Sequence, residues 1–352
     1  MNARLGAIST ALAAAALFGA ATPLAKALLG AMSPFMVAGL FYLGSGIGLG
    51  IAIIVRNLWA SNTREVTQRI SKGEVPWLLG AIAAGGVAGP ALLMLGLSTT
   101  PAATSSLLLN LEGVLTAVIA WVVFRENVDT QIFLGMVAIV AGGVLLSWQR
   151  GSHGVSTGAM LIMGACLCWA IDNNLTRKVS ANDAMVIASL KGLIAGPVNL
   201  LVALAADAKF PALVTIAGAM TTGFAGYGVS LVLFVVALRN LGTARTGAYF
   251  SVAPLFGVAL SLILWPELPH PSFWIATGLM AIGVWLHVRE RHEHVHLHER
   301  LEHTHRHRHD EHHQHEHDFP YSGVEPHTHA HVHLPITHSH AHFPDVHHRH
   351  PH

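Results

Sequence analysis

The chain has 352 residues, of which 52% are apolar and only 11% charged, against roughly 25% charged in an average soluble chain. Met1–His287 carries 14 Lys/Arg and 9 Asp/Glu (+5), while residues 288–352 carry 6 and 10 (−4), so a lipid-soluble body is followed by a hydrated tail. This division excludes a nucleic-acid groove. The two cysteines, Cys166 and Cys168, stand two apart in one apolar run and make no disulfide framework.

A bilayer core of about 30 Å needs roughly 20 apolar residues per helix. Such stretches follow one another near 5–28, 34–55, 76–97, 103–124, 130–148, 157–176, 183–206, 213–238, 244–265 and 271–288. The expected fold is therefore an all-α integral membrane protein of about ten transmembrane helices. The first stretch has the Arg4, apolar run and small residues of a signal peptide. It is nevertheless expected to be a retained span, because its end, Phe18–Lys26, resembles the end of the sixth, Trp169–Arg177.

Lys and Arg crowd the cytoplasmic side of membrane proteins. With the N-terminus inside, that side receives Arg4, Arg56, Arg64, Arg69, Lys72, Arg125, Arg177, Lys178, Arg239 and Arg245. The opposite side receives Lys26, Arg150 and Lys209. Both termini are expected in the cytoplasm, in a multi-pass protein of the cell inner (plasma) membrane, with the lipid bilayer as its first partner and a homodimer left open.

The chain also repeats. Gly96–Leu146 aligns without gaps on Ala237–His287 at an offset of 141, which sets Glu126 on Glu267, Phe133 on Trp274 and Gly142 on Gly283. Five spans per half is an odd number, so the second half must lie upside down relative to the first, as in many secondary transporters. Residues 1–150 form the first five-helix repeat, 151–288 the second, and 289–352 the tail.

Two five-helix repeats, each with a turn Glu before a Gly-containing last helix, resemble the EamA-type transporters of the drug/metabolite transporter superfamily. Arg125, Glu126, Gln131, Gly135 and Gly142 follow that pattern. The second half departs from it at Trp265-Pro266-Glu267, Ser272 and Ala276. The resemblance covers 1–287 and implies fold and transport. It leaves the cargo open, because members carry amino acids, sugars, nucleotides, drugs and other metabolites.

Ionisable and amide side chains in mid-span usually face the bundle interior. Here these are Asn110 and Glu112 in the fourth span, Asp172, Asn173 and Asn174 in the sixth and Lys191 in the seventh, with Tyr227 a milder case in the eighth. They are expected to line a solute pathway, with Lys191 partnering Asp172 or Glu112. The competing reading is that the charges only hold helices together. Glu126 and Glu267 read as turn residues.

The tail holds 23 of the 26 histidines, most of them alternating with other residues. His292, His294, His296, His298, His303, His305, His307 and His309 open the run. His312, His313, His315, His317, His327, His329, His331 and His333 continue it. Imidazole suits Zn, Ni, Co or Cu, so these ions are expected on the tail, although no cofactor is required. Lacking Gly and Pro from Val284 to Asp318, the tail is expected to start as a helix and become disordered later.

Three functions compete. The first is a secondary transporter exporting divalent transition-metal ions or complexes, with the tail as their cytoplasmic collector. The second exports small organic metabolites, such as amino acid-like molecules, with a regulatory metal- or pH-sensing tail. The third is a membrane-anchored metal store or sensor. No enzyme is expected, since the spans hold no paired-His motif, nucleophile elbow or phosphate loop.

Overall fold

The computed structural model describes residues 2–59, 70–124, 130–148, 155–179, 182–241, 246, 249–266, 269–288 and the tail segments 292–298, 301–307, 327–333 and 336–342. Two units are distinct, Met1–Arg289 and Glu290–His352. The first is built of helices. They are α1 (Asn2–Leu28), α2 (Pro34–Trp59), α3 (Val75–Thr99), α4 (Ala102–Val123) and α5 (Thr130–Ser147), then α6 (Thr157–Thr176), α7 (Ala184–Ala205), α8 (Leu213–Ala237), α9 (Ala253–Leu264) and α10 (Pro271–Val288).

Eight of these, α1 to α8, are long and apolar enough to cross a membrane, while the apolar parts of α9 and α10 are shorter. Their outward faces carry large apolar side chains such as Val122, Leu201, Ile263 and Ile275, all exposed on the bundle surface. In water such a surface would aggregate, whereas against acyl chains it costs nothing. The interior is closed by Met36, Phe41, Met94, Leu97, Leu108 and Ile162.

The pairing of helices has a regular form. α2 packs on α7 and α5 on α10; α3 packs on α6 and α8 on α1; α4 packs on α6 and α9 on α1. Shifting every partner by five reproduces the same set. The exchange reaches single residues at the α5–α10 contact. A Cβ on Gly142 would meet Met280 Cγ at 2.8 Å and Ala276 O at 3.0 Å, and one on Gly283 would meet Ile139 Cγ1 and Gly135 O at 2.6 Å. Gly135 and Ile139 are the offset-141 counterparts of Ala276 and Met280. At α2–α7 the backbones also touch, through Gly46 and Gly192, where any side chain would force the helices apart.

Two helices in each half depart from α geometry. α3 widens to a π-helix over Ile82–Ala88, and α8 does so over Phe224–Val229. α4 is interrupted at Leu109–Asn110, between Ala102–Leu108 and Leu111–Phe124. Turn residues Ser251–Val252 precede α9 in the same way. Asn110 and Ser251 are again 141 apart. The expected ninth span near 244–265 is thus broken before Ala253. The turn residues Glu126 and Glu267 lie outside the described residues.

In the tail unit, His292–His298 pairs antiparallel with Ile336–His342, and Leu301–His307 with His327–His333. The sequence expectation for this tail is a helical start followed by a disordered remainder. Alternation with period two belongs to an extended chain and not to a 3.6-residue turn.

Candidate functional site

The interruption of α4 and the start of α9 face a common cavity of about 310 Å³. Asn110, Glu112 and Gly113 enter it from α4, Ser251, Ala253 and Pro254 from the α9 side, and Phe18, Gly19 and Thr22 from α1. A smaller cavity of about 200 Å³ shares Asn110, Ser251 and Pro254 and continues past Thr277 and Met280 of α10. An interrupted helix exposes backbone groups that a continuous one would use internally, and such interruptions mark the solute sites of many transporters.

Glu112 stands in the first turn after the α4 interruption. Its Oε1 accepts a hydrogen bond from Asn173 Nδ2 at 3.0 Å, and the same amide reaches Thr116 Oγ1 at 3.3 Å. Asn110 donates from Nδ2 to Leu107 O at 3.0 Å, which caps the first half of α4. Ser106 Oγ is buried on the cavity wall with no hydrogen-bond partner. The rings of Phe18 and Phe250 stand 5.4 Å apart on the same wall.

The second polar group lies on the α3–α6–α7 side. Lys191 Nζ is ion-paired with Asp172 Oδ1 and donates to Thr176 Oγ1 at 3.0 Å, and Thr176 Oγ1 donates to Asp172 Oδ1 at 2.8 Å. Asp172 fits only because residue 85 is glycine: a Cβ there would collide with its carboxylate. The π-helical turn of α3 frees carbonyls that other helices then satisfy. Gly85 O accepts from Tyr42 Oη at 2.7 Å and Trp169 Nε1 at 2.9 Å, and Gly86 O accepts from Asn199 Nδ2 at 3.2 Å.

The seven residues expected on the pathway therefore separate. Asn110 and Glu112 line the cavity, and Asn173 reaches it by holding Glu112. Asp172 and Lys191 pair with each other and line neither of the two cavities described. Asn174 donates to Ala170 O at 2.8 Å and Thr116 O at 3.3 Å, tying α6 to α4. Tyr227 stacks edge-on against Phe41 and Tyr42, with ring centroids 5.8 and 5.6 Å away. Ser106, Thr116 and Thr176 escaped sequence reasoning, since a hydroxyl in an apolar span carries no charge signal. The tail histidines' side chains lie outside the described residues. Within the body, no cluster of three His, Cys, Asp or Glu that could hold a metal occurs among the described residues.

The outer ends of the helices are fastened by charge. Arg56 Nη2 reaches Asp183 Oδ2 at 2.7 Å, and Asp183 also caps α7 by accepting from Met185 N at 2.8 Å. Burial works to raise the Asp183 carboxyl, but the Arg56 guanidinium and the capping N–H outweigh it and hold it below the usual range. Glu74, before α3, is held low chiefly by the Ser71 backbone N–H at 2.6 Å, and it accepts from Asn182 Nδ2 at 3.2 Å. On another face Lys26 Nζ caps the end of α3, donating to Leu97 O at 2.6 Å and Ser98 O at 3.1 Å.

The profile of the EamA-like transporter family matches the chain twice, over residues 5–148 and 156–289. The chain belongs to the EamA-like transporter family. An uncharacterized transporter of Methanothermobacter thermautotrophicus is 29% identical over 266 residues, which cover 71% of this chain and 76% of that one. The uncharacterized transporter YyaM of Bacillus subtilis is 25% identical over 258 residues, 69% of this chain and 81% of its own. The uncharacterized inner membrane transporter YedA of Escherichia coli is 24% identical over 155 residues, 43% of this chain and 51% of its own. A crystal structure 18% identical in sequence superposes with a TM-score of 0.58 over 80% of this chain and 96% of its own, a likeness of fold alone. The protein is a multi-pass membrane transporter of this family, and the twofold match covers its body and stops at the tail.

Proposed function

We propose that this EamA-like chain is a ten-span secondary transporter of small organic solutes, whose two five-helix halves lie inverted in the membrane and give alternating access to the cavity between α4 and α9. The observation that carries the reading is the interruption of both helices at positions 141 residues apart, on the wall of one cavity. The helix pairing that survives a shift by five supports the inversion, since two odd-numbered halves exchange partners in this way only about a twofold axis in the membrane plane. A metal cargo has less support: the cavity wall offers one carboxylate and mostly apolar side chains, whereas a transition-metal ion needs several nitrogen, sulfur or oxygen ligands.

The tail histidines enter the same reading as a cytoplasmic binder of Zn, Ni, Co or Cu that regulates transport. Their number and spacing support this. The test is labelling of Gly113→Cys, in a chain with Cys166 and Cys168 replaced by Ala, from each side of sealed vesicles. A Cβ at 113 meets open space, so the thiol fits. Alternating access predicts reaction from both sides, each blocked by prior reaction from the other. Reaction from one side only refutes it. Reporters fused after Trp285 and at Gly151 must report cytoplasm and exterior, respectively, or the ten-span inverted arrangement is wrong.

A further inference from the structure

We propose that the solute carried in this cavity is a small organic ammonium: a protonated primary or secondary amine on an apolar body. The inference rests on the cavity being the transport site. Glu112 is the one ionisable side chain on its wall. Among the described residues no cation pairs with it, because Lys191, the nearest candidate in the sequence reading, is taken by Asp172 and Thr176. Asn173 supplies Glu112 with a neutral hydrogen bond and leaves its charge uncompensated. An uncompensated carboxylate in a low-dielectric wall attracts a cation and repels an anion.

The other polar atoms select among cations. Asn110 directs its Nδ2 hydrogens to Leu107 O at 3.0 Å and Met280 Sδ at 3.9 Å, so the atom it has left for a solute is Oδ1, an acceptor. Ser106 Oγ is buried, lines the cavity and has no partner. A buried polar atom left unmade costs about 1–3 kcal/mol, and a ligand N–H would remove that cost. Acceptors call for N–H donors, which a quaternary ammonium lacks. Apart from the hydroxyls of Thr22 and Ser251, the remaining wall is apolar, with Phe18 and Phe250 side by side and Val114, Ile139 and Val284 around them. It suits a hydrocarbon body and a cation over an aromatic face, and it cannot replace the water shell of a divalent ion. At about 310 Å³ the space is at the small end of ligand sites.

The experiment compares four probes on the full chain in lipid nanodiscs and proteoliposomes: 2-phenylethylamine, phenylalanine, 3-phenylpropionate and Zn²⁺. The first three share one apolar body and differ in charge. The amine is expected to bind and to be carried, with phenylalanine at least tenfold weaker and the acid excluded. Glu112→Gln should weaken amine binding about 10- to 100-fold, the worth of a charge-assisted hydrogen bond. Ser106→Ala should weaken it about three- to tenfold without lowering the thermal stability of the empty protein, since no internal bond is lost and an unpartnered buried atom is removed. Equal or stronger binding of phenylalanine or phenylpropionate overturns the proposal, as does amine binding indifferent to Glu112→Gln, or no binding of the amine. If one of the other probes is carried, or Gly113→Cys is labelled from both sides, the transporter reading stands without this cargo. If the labelling is one-sided, it is the transport reading that has failed.

Discussion

Lys191→Met is the sharpest single perturbation of the bundle. Among the described residues it removes the only cation paired with Asp172 and leaves that carboxylate, 11% exposed, with one hydrogen bond from Thr176 Oγ1 at 2.8 Å. Removing one member of a buried pair costs about 3–5 kcal/mol, because the other charge stays buried and uncompensated. The surviving Thr176 bond and the slight exposure place the expected loss at the lower end, about 3 kcal/mol. Asp172→Leu, which keeps the branch at Cγ, strands Lys191 in the same way. The double variant strands neither charge. Replacement of a buried pair by apolar groups of similar volume is often neutral or better. The double variant should therefore lie within about 1 kcal/mol of the parent, where two independent losses of about 3 kcal/mol each would sum to about 6. The assay is reversible unfolding of the full chain in mixed micelles of rising SDS fraction, read by tryptophan fluorescence. Solute uptake by the double variant is measured in parallel. Because the pair lines neither of the two cavities described, uptake should survive in the double variant. A single variant costing less than about 1 kcal/mol, or a double variant as unstable as the sum, would refute the account of the pair as mutual neutralisation. A stable double variant without uptake would move Asp172 and Lys191 onto the solute pathway.

Three further outcomes follow from the geometry. Asp183 has a carboxyl lowered in the folded chain despite its burial, through Arg56 and the Met185 N–H, so the stability it adds is full above the unfolded carboxylate value of about 3.9 and is lost as pH falls through the lower folded value. Asp183→Asn should remove that acid-limb dependence, as measured by thermal melts between neutral and acid pH. Gly142→Leu should push α5 from α10, because its Cβ alone would stand 3.0 Å from Ala276 O, and should cost about 1–3 kcal/mol of stability in the micelle assay; no loss would mean that the helices are not held at this distance. The full chain should bind several Ni²⁺ or Zn²⁺ per molecule at pH 7.5 by equilibrium dialysis, a chain ending at residue 288 far fewer, and binding should fade below about pH 6 as imidazoles with a free value near 6.5 take up protons.

Eight of the expected spans were legible because length and apolarity are local properties, and the twofold repeat that the family profile matches because a constant offset of 141 needs only the sequence. Gly142 and Gly283 aligned in sequence and proved to be counterparts at one helix contact. The charged residues announced themselves by their rarity in apolar runs, and Lys191 was expected on Asp172 or Glu112, but the choice between the two was not legible. Nothing along the chain says that Lys191 reaches back 19 residues to Asp172 while Glu112 is met by an amide 61 residues on. The π-helical turn at Ile82–Ala88 was equally hidden. Its freed carbonyls are satisfied by Tyr42, Trp169 and Asn199 from three other helices, so the local backbone is set by distant donors. In the tail, freedom from Gly and Pro suits a helix, whereas the His-x-His alternation carries the period of a strand.

The two halves match in backbone but not in charge. The offset that sets Asn110 on Ser251 sets Glu112 on Ala253, and both positions line the same cavity. In the inverted arrangement proposed above, a pair of identical five-helix chains would bring two carboxylates to that one space. Their mutual repulsion would have to be relieved by a shared proton or a doubly charged guest. A single continuous chain is free of that constraint: it can keep one acid and make the opposite wall an alanine. On the proposed cargo, the valence of the guest is tied to the covalent joining of the halves, and Ala253→Glu would create the twin-acid arrangement within the existing chain.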